Sequence, residues 1–407
     1  MKVATVGLFV VVIVGAAGAC QWLLPERFAV NAPIGQMLWG AGIDAPDSGT
    51  ISDRMRAPEG FEISLWAEGT RGARVLRPTP TGDLLVGSPV QNSILLLEAD
   101  ADGDGRSDGQ RVLLEELNHP YGVELRDGWL YVGETGGIAR VPFDPGKTAT
   151  PGEPSGARIT GELEYIVNDL PPGGNHWTRN LRFGPDGWLY VNVGSSCNVC
   201  LEDDPNRRAA LLRFRSDGSG EETFATGLRN SVGFAWQPST GKFYATDNGR
   251  DLLGDNFPPC ELNELVEGGF YGFPVANGNR MPDPDFGEGQ EERIASSIPP
   301  AHGFRAHNAP LGINFIEGES LPKDYRGAAL VALHGSWNRT QKDGYKVVSL
   351  HWDADGSIRE EDFLTGFLRD EELIGRPADV VQGPDGAIYV SDDYAGVIWK
   401  VEYTGDL

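Results

Sequence analysis

The stretch GGNHWTRN, Gly173 to Asn180, sets His176 in a Gly-rich corner beside Asn175, Trp177 and Arg179. The chain has only six histidines, so this position asks for a reason. A neutral imidazole near pH 7 can take a proton from a substrate hydroxyl, which makes His176 a candidate general base. The following residues, FGPDGWLYVNVG, read as a Pro-Asp-Gly turn and an alternating strand, so the histidine ends a loop just before a strand. Taken alone, the position suits packing as well as chemistry.

Three arginines occupy similar places. GLRNSVGFAW (Gly227–Trp236) puts Arg229 and Asn230 just before a strand. HGSWNR (His334–Arg339) follows a strand, and GRPADV (Gly375–Val380) precedes one, adding Arg339 and Arg376. Guanidinium groups bind carboxylates or phosphates in a fork, so arginines brought to one place suggest a small polyanionic ligand. TDNGRD (Thr246–Asp251) ends another strand, and the backbone carbonyls of Gly249 and Arg250 can ligate calcium there. HGFRAHNAPLG (His302–Gly312) adds His302, Arg305 and His307, which read as structural before they read as catalytic. Asn338-Arg339-Thr340 fits a glycosylation sequon, a match that chance often supplies.

Two further clusters stand apart. DADGDGRSD carries Asp100, Asp102, Asp104 and Asp108 at positions 1, 3, 5 and 9 of a loop with Gly105 at position 6. That spacing can wrap oxygens around a structural calcium, although Arg111 stands where an EF-hand has its glutamate; a solvated acidic turn is the other reading. Of the four cysteines, Cys197 and Cys200 in SSCNVC suit a disulfide that pins a loop. A redox-active thiol pair lacks the surrounding βαβ pattern, and one CxxC is weak evidence for zinc.

These residues need elements to carry them. A module recurs: a turn, an alternating strand, then small or acidic residues. The copies are PTGDLLVGSP, RDGWLYVGET, PDGWLYVNVG, STGKFYATDN, the looser RGAALVALHG, and PDGAIYVSDD. Their turn glycines, Gly82, Gly128, Gly187, Gly241, Gly327 and Gly386, recur at intervals of 46, 59, 54, 86 and 59 residues. Such a period predicts an all-β, six-bladed β-propeller over residues 57–407, with strand ends and loops lining one mouth of its channel. The long interval holds an insertion from Asp251 to His307, and two stacked β-sandwiches are the competing reading. Residues 25–56 read as a linker. The 55 glycines and 28 prolines agree with many short strands, and a net charge of -25 without a basic stripe excludes nucleic-acid binding.

After Lys2 no charge occurs until Glu26. Residues 1–24 are therefore an export signal cleaved near Cys20, a lipoprotein signal with Cys20 lipidated, or an uncleaved anchor over residues 3–24. Each would export the domain to the periplasm or the outer face of the membrane, with no other membrane contact.

Together the motifs NHWTRNLRFGPDGWLYV, GLRNSVGF, TDNGRDLLGDNFPPCELN, GGFYGFP, HNAPLG, HGSWNR and GRPADV resemble the soluble PQQ (pyrroloquinoline quinone)-dependent sugar dehydrogenases. The resemblance spans about Ala57 to Tyr403 and is strongest to the branch of L-sorbosone and pyranose dehydrogenases. It implies a PQQ and a calcium ion at the channel mouth. It implies His176 as general base in a hydride transfer from a sugar or sugar-derived aldehyde to the quinone. Arg229 and Asn230 would contact the cofactor, with Arg229 stabilising the developing oxyanion. Asn175, Arg339 and Arg376 are further cofactor contacts, and Gly249 and Arg250 hold the cofactor calcium through their carbonyls. Electrons would leave to an external quinone or cytochrome.

Three departures are visible. Ala378 stands where relatives carry a second arginine, Arg339 is the candidate stand-in for a missing lysine, and Asn175 replaces an aspartate, leaving His176 without its carboxylate partner. The alternatives are a calcium-dependent propeller lactonase, which would favour carboxylates and asparagines over arginines, and a non-catalytic carbohydrate-binding propeller.

Overall fold

A computed structural model describes residues 26–33, 35 and 41–405. The readings made for residues 3–24 and for Cys20 lie outside them.

Six sheets form a closed ring, a six-bladed propeller; each has four antiparallel strands at its heart, and those of blades 2 and 3 carry a fifth, Arg158–Ile159 in blade 2 and the parallel Gly269–Phe270 in blade 3. The innermost strands are Leu76–Pro78, Gly122–Arg126, Leu181–Phe183, Ser231–Trp236, Pro310–Phe315 and Pro377–Gln382, which define blades 1 to 6. Each recurring module is the second strand of a blade, and the stacked-sandwich reading is excluded. These second strands are Leu84–Ser88, Trp129–Glu134, Leu189–Val193, Phe243–Asp247, Ala329–Leu333 and Ile388–Asp392. Nearly every residue on them is buried, because both faces meet a neighbouring blade. The six module glycines all have positive φ, between 72° and 102°, which is why the turns before these strands require glycine. Two PDG turns share a further lock. Tyr190 and Tyr389 donate to Asp186 and Asp385, each at 2.8 Å.

The hydrophobic core is a set of wedges between blades. Tyr131, Leu181, Leu189 and Val191 fill the space between blades 2 and 3, and Leu330, Phe363, Val380 and Trp399 that between blades 5 and 6. The ring closes through the chain's first long strand. Phe61–Glu68 pairs antiparallel with Val397–Tyr403 and becomes the outer strand of blade 6, in register from Phe61 with Tyr403.

The stretch from 251 to 307 is more than an insertion. It contains the third and fourth strands of blade 4, Cys260–Leu265 and His302–Phe304. Between them lie a short hairpin (Ala276–Asn277 with Met281–Pro282), the helix Glu291–Ser296, and Gly269–Phe270, which extends blade 3.

Residues before the first blade strand lie on the ring. Asp47 caps the helix Ser48–Arg54 by accepting from Thr50 N at 2.9 Å, and Ile43 N bonds Tyr394 O at 2.9 Å. Asn338 is only 1% exposed. Its Nδ2 donates to the carbonyls of Arg27 and Ala29, and its Oδ1 accepts from Leu252 N. The acceptor asparagine of the sequon is thus buried in the folded chain and not open to a glycan.

Candidate active site at the channel mouth

Antiparallel order decides which loops meet. The loops entering the innermost strands and those leaving the second strands share one end of the ring, the mouth. Arg74, Tyr121, His176, Arg229, Asn308 and Arg376 stand just before the six innermost strands, one per blade. Asn248–Asp251, His334 and Asp393 follow second strands and belong to the same end.

His176 is half-buried and held from three sides. Two buried arginines clamp its loop by the backbone. Arg179 donates to the carbonyls of Pro171, His176 and Thr178, and Arg208 to those of Pro172 and Gly173. Gly194 permits the close approach, since a Cβ there would lie 2.5 Å from His176 Cβ and 2.9 Å from Asn230 Oδ1. The imidazole Nδ1 lies 2.9 Å from both the carbonyl oxygen and the Oγ of Ser195. Ser195 Oγ gives its own proton to Cys197 O at 2.7 Å. Both neighbours of Nδ1 are therefore acceptors, so Nδ1 carries the hydrogen and Nε2 the lone pair. Among the described residues Nε2 has no hydrogen-bond partner. Burial, reinforced by the charge of Arg229, lowers the imidazole to about 3, so it is neutral across the working pH range. Asn175 is exposed on the rim, and only its backbone N is tied down, to Ser196 O.

Arg229 spends its five N–H groups on the protein. Nε and Nη2 bond Asn198 O and Oδ1, both at 2.8 Å. Nη1 bonds the carbonyls of Asn248 and Gly249 at 2.9 Å, and Nη2 meets Asp251 at 3.1 Å. It contributes a fixed positive charge, with no N–H left over for a ligand in this arrangement. Burial would raise Asp251, but the nearby His307 and the charge of Arg229 outweigh it and hold the carboxyl below its usual range. His307 Nδ1 is 3.6 Å from that carboxylate, and its Nε2 faces Gly254 O at 2.9 Å. Asn230 receives Asn248 on its backbone carbonyl, while the side-chain oxygens of Asn230, Asn248 and Asn308 are buried with no donor among the described residues. The carbonyl of Gly249 already accepts from Arg229, and the Arg250 side chain turns away to Asp283 and Asp285, leaving its backbone at the mouth.

A second network, which the residue patterns did not reveal, spans blades 1, 5 and 6. Arg74 pairs with Asp393 at 2.6 Å, and Asp393 accepts from His334 Nε2 at 2.9 Å. His334 Nδ1 then faces Arg376 Nη2 at 3.1 Å, and Arg376 Nε donates to His334 O. Burial, with Arg376 second, lowers His334 to about 3 as well. His334 begins HGSWNR and Asp393 ends the last module, so both were on view, but nothing in their spacing paired residues 59 apart. Ala378, in place of an arginine, is fully buried in the wall of the ring.

Other expected residues lie elsewhere or play another part. Arg339 is buried and braces two loops by donating to Asp255 O and Ala306 O. His302 pairs with Glu360 at the start of an outer strand, and Arg305 is exposed beside Asp343. The acidic loop lies on the face opposite the mouth, between the third and fourth strands of blade 1. Carboxylate oxygens of Asp100, Asp102 and Asp108 come within 4.8 Å of one another, whereas Asp104 accepts from Arg106 N and is not among them. Cys197 and Cys200 form a disulfide, and Cys260 is a buried free thiol.

Known proteins share this architecture. The family model "Glucose / Sorbosone dehydrogenase" matches residues 154–400. An uncharacterized protein of Borreliella burgdorferi is 30% identical over 367 residues, 87% of this chain and 92% of its own length. The aldose sugar dehydrogenase YliI of Escherichia coli is 24% identical, over 72% of this chain and 77% of its own length. Among solved structures, the holo form of the pyranose dehydrogenase PQQ domain from Coprinopsis cinerea superposes with a TM-score of 0.71 at 20% identity, covering 86% of this chain and 97% of that one. At that identity the superposition speaks for the fold alone. The family match covers more than half of the chain, and the Borreliella relative aligns over nearly all of both sequences. On those two findings the chain belongs to the glucose / sorbosone dehydrogenase family, within the PQQ-dependent sugar dehydrogenase superfamily.

Proposed function

We propose that this chain oxidises a sugar or a sugar-derived aldehyde, of aldose or sorbosone type, with PQQ as cofactor and His176 as general base. Family membership carries the coarser part, an oxidoreductase of the sugar dehydrogenase type. The chemistry of the mouth fits an anionic quinone. Arg74, Arg229 and Arg376 bring positive charge, and three buried amide oxygens lack donors among the described residues, a costly state that a bound ligand or cation relieves. Asn230 and Arg376 would contact the quinone, with Asn175 at the rim. Calcium would be held by the carbonyls of Gly249 and Arg250 and by Asn248 Oδ1, with Gly249 using its second lone pair. Bound PQQ would supply the two-electron acceptor.

The protein's own part is proton transfer and electrostatics. His176 Nε2 takes the substrate hydroxyl proton, while Ser195 keeps the ring oriented through Nδ1–H. Arg229 stabilises negative charge developing nearby through its fixed charge. The apolar N-terminal run supports an exported enzyme that passes electrons to an external quinone or cytochrome. The carrying observation is a neutral histidine at the mouth whose Nε2 has no hydrogen-bond partner among the described residues.

The test is reconstitution with PQQ and calcium, followed by a screen of aldoses and sorbosone with an artificial electron acceptor. Dye reduction that needs both PQQ and substrate is expected. Lactone hydrolysis with calcium alone, and no dye reduction, would replace this reading with a hydrolase.

A further inference from the structure

The cystine loop carries more than its own turn. Residues 194–209 join two strands of blade 3 that already pair from Val193 with Ala210. A bridge between residues only three apart closes a very short loop, where the constraint on the unfolded chain is smallest. Its constraint is therefore local, and the local contacts are those of the active site. Cys197 O takes the Ser195 hydroxyl proton and so leaves Ser195 Oγ as an acceptor for His176. One residue further on, Asn198 receives Arg229 on both its oxygens. Asn198 also holds Asp251 from both ends, accepting from its backbone N at 2.9 Å and donating to its carbonyl at 3.2 Å. Ser196 O accepts from Asn175 N, fixing the histidine loop from the same segment. Four loop residues thus reach the base, its neighbouring cation and that cation's carboxylate.

Building on the proposed role of His176, we propose that the Cys197–Cys200 disulfide is a positioning element of the active site. It holds Ser195 and Asn198 so that His176 stays in the Nδ1–H form with Nε2 free, which makes turnover depend on the oxidation state of this pair. Both cysteines are half-buried, beside the exposed Leu201, so a small dithiol can reach them. Reduction breaks the S–S bond and forms two thiols. The two electrons and two protons come from the dithiol, which closes to its own disulfide. The freed Cys197 carbonyl then no longer fixes the Ser195 hydroxyl.

The experiment uses the full chain with 15N-labelled histidine. The six histidines keep the spectrum simple, and a His176→Gln variant assigns the resonance. In the oxidised, cofactor-free protein, His176 should show one protonated nitrogen at Nδ1 and one bare nitrogen at Nε2. Dithiothreitol, or the double substitution Cys197→Ser with Cys200→Ser, should average the two signals while the thermal midpoint moves little. Reoxidation should restore them, whereas Ser195→Ala with the bridge intact should keep the Nδ1–H form, because the backbone carbonyl of residue 195 still accepts from Nδ1. In reconstituted enzyme the double variant should lose about 10- to 100-fold in kcat, with KM nearly unchanged. Unaltered His176 signals in the double variant overturn the proposal, whatever happens to activity. If the signals average but no variant, wild type included, reduces the dye, the positioning role stands and the dehydrogenase reading fails.

Discussion

At the scale of the residue, His176 resolves the difficulty that Asn175 posed. A base without a carboxylate beside it is oriented instead by a carbonyl and a hydroxyl, both from Ser195. This arrangement fixes the tautomer, and burial together with the charge of Arg229 outweighs the basicity that the Ser195 carbonyl adds, bringing the imidazole down to about 3. His176→Ala should lower kcat by about 10² to 10⁴-fold, the usual worth of a positioned general base, with little change in thermal midpoint. The pH profile of kcat/KM for the wild type should show no histidine-like inflexion near 6.5, because the group is already deprotonated there. A clear inflexion that vanishes in the variant would overturn the assignment of a neutral base. The histidine and its loop were readable from residue types and their place before a strand. Ser195 was not, because its contact with His176 forms across two loops of blade 3.

At the scale of the element, the second strand of blade 3 and the loop that follows it do most of the positioning. Gly194 is the point where strand, base and Asn230 meet. Gly194→Ala would push a methyl into His176 and the Asn230 amide. We expect a loss of about 1–3 kcal/mol in chemical denaturation and a fall in kcat larger than any rise in KM. If activity is retained with a lowered stability, the close approach matters for packing only. The module pattern announced this strand plainly, since its turn glycine and alternation follow local rules. It could not announce that the glycine ending the strand is there for a side chain from a preceding loop.

At the scale of the whole molecule, the ring depends on the strand Phe61–Glu68. Removing residues 1–69 would leave blade 6 without its outer strand and expose a long sheet edge. That truncation should abolish cooperative unfolding and promote aggregation, whereas removing residues 1–25 should leave the thermal transition of the propeller in place. Circular dichroism melts of the two proteins decide this. Buried carboxylates add a pH dependence to the same stability. Burial, with Asp247 second, raises Glu261 to about 8 from an ordinary 4.5. Between those values the folded state holds a proton that the unfolded state has released, so this group's contribution is full below about 4.5 and is lost as pH rises to about 8. Glu261→Gln should flatten the fall of the thermal midpoint between pH 5 and 8 and leave the variant relatively more stable at pH 9. A variant as pH-sensitive as the wild type would exclude Glu261 as the source.

The sequence by itself determined the repeating unit. Turn glycines with positive φ, alternating strands and six spaced copies are local requirements, and local requirements are written in neighbouring residues. It also carried the family motifs that marked His176, Arg229 and Arg376. Tertiary structure alone decided which distant groups complete them. Closing the ring sets Arg74 against Asp393, packing of neighbouring blades sets His334 against Arg376 and the cystine loop against Arg229, and the folding of blade 3 sets that loop against His176. It also decided their charge states, because burial and the field of neighbouring arginines arise only when six blades bring their loops to one mouth.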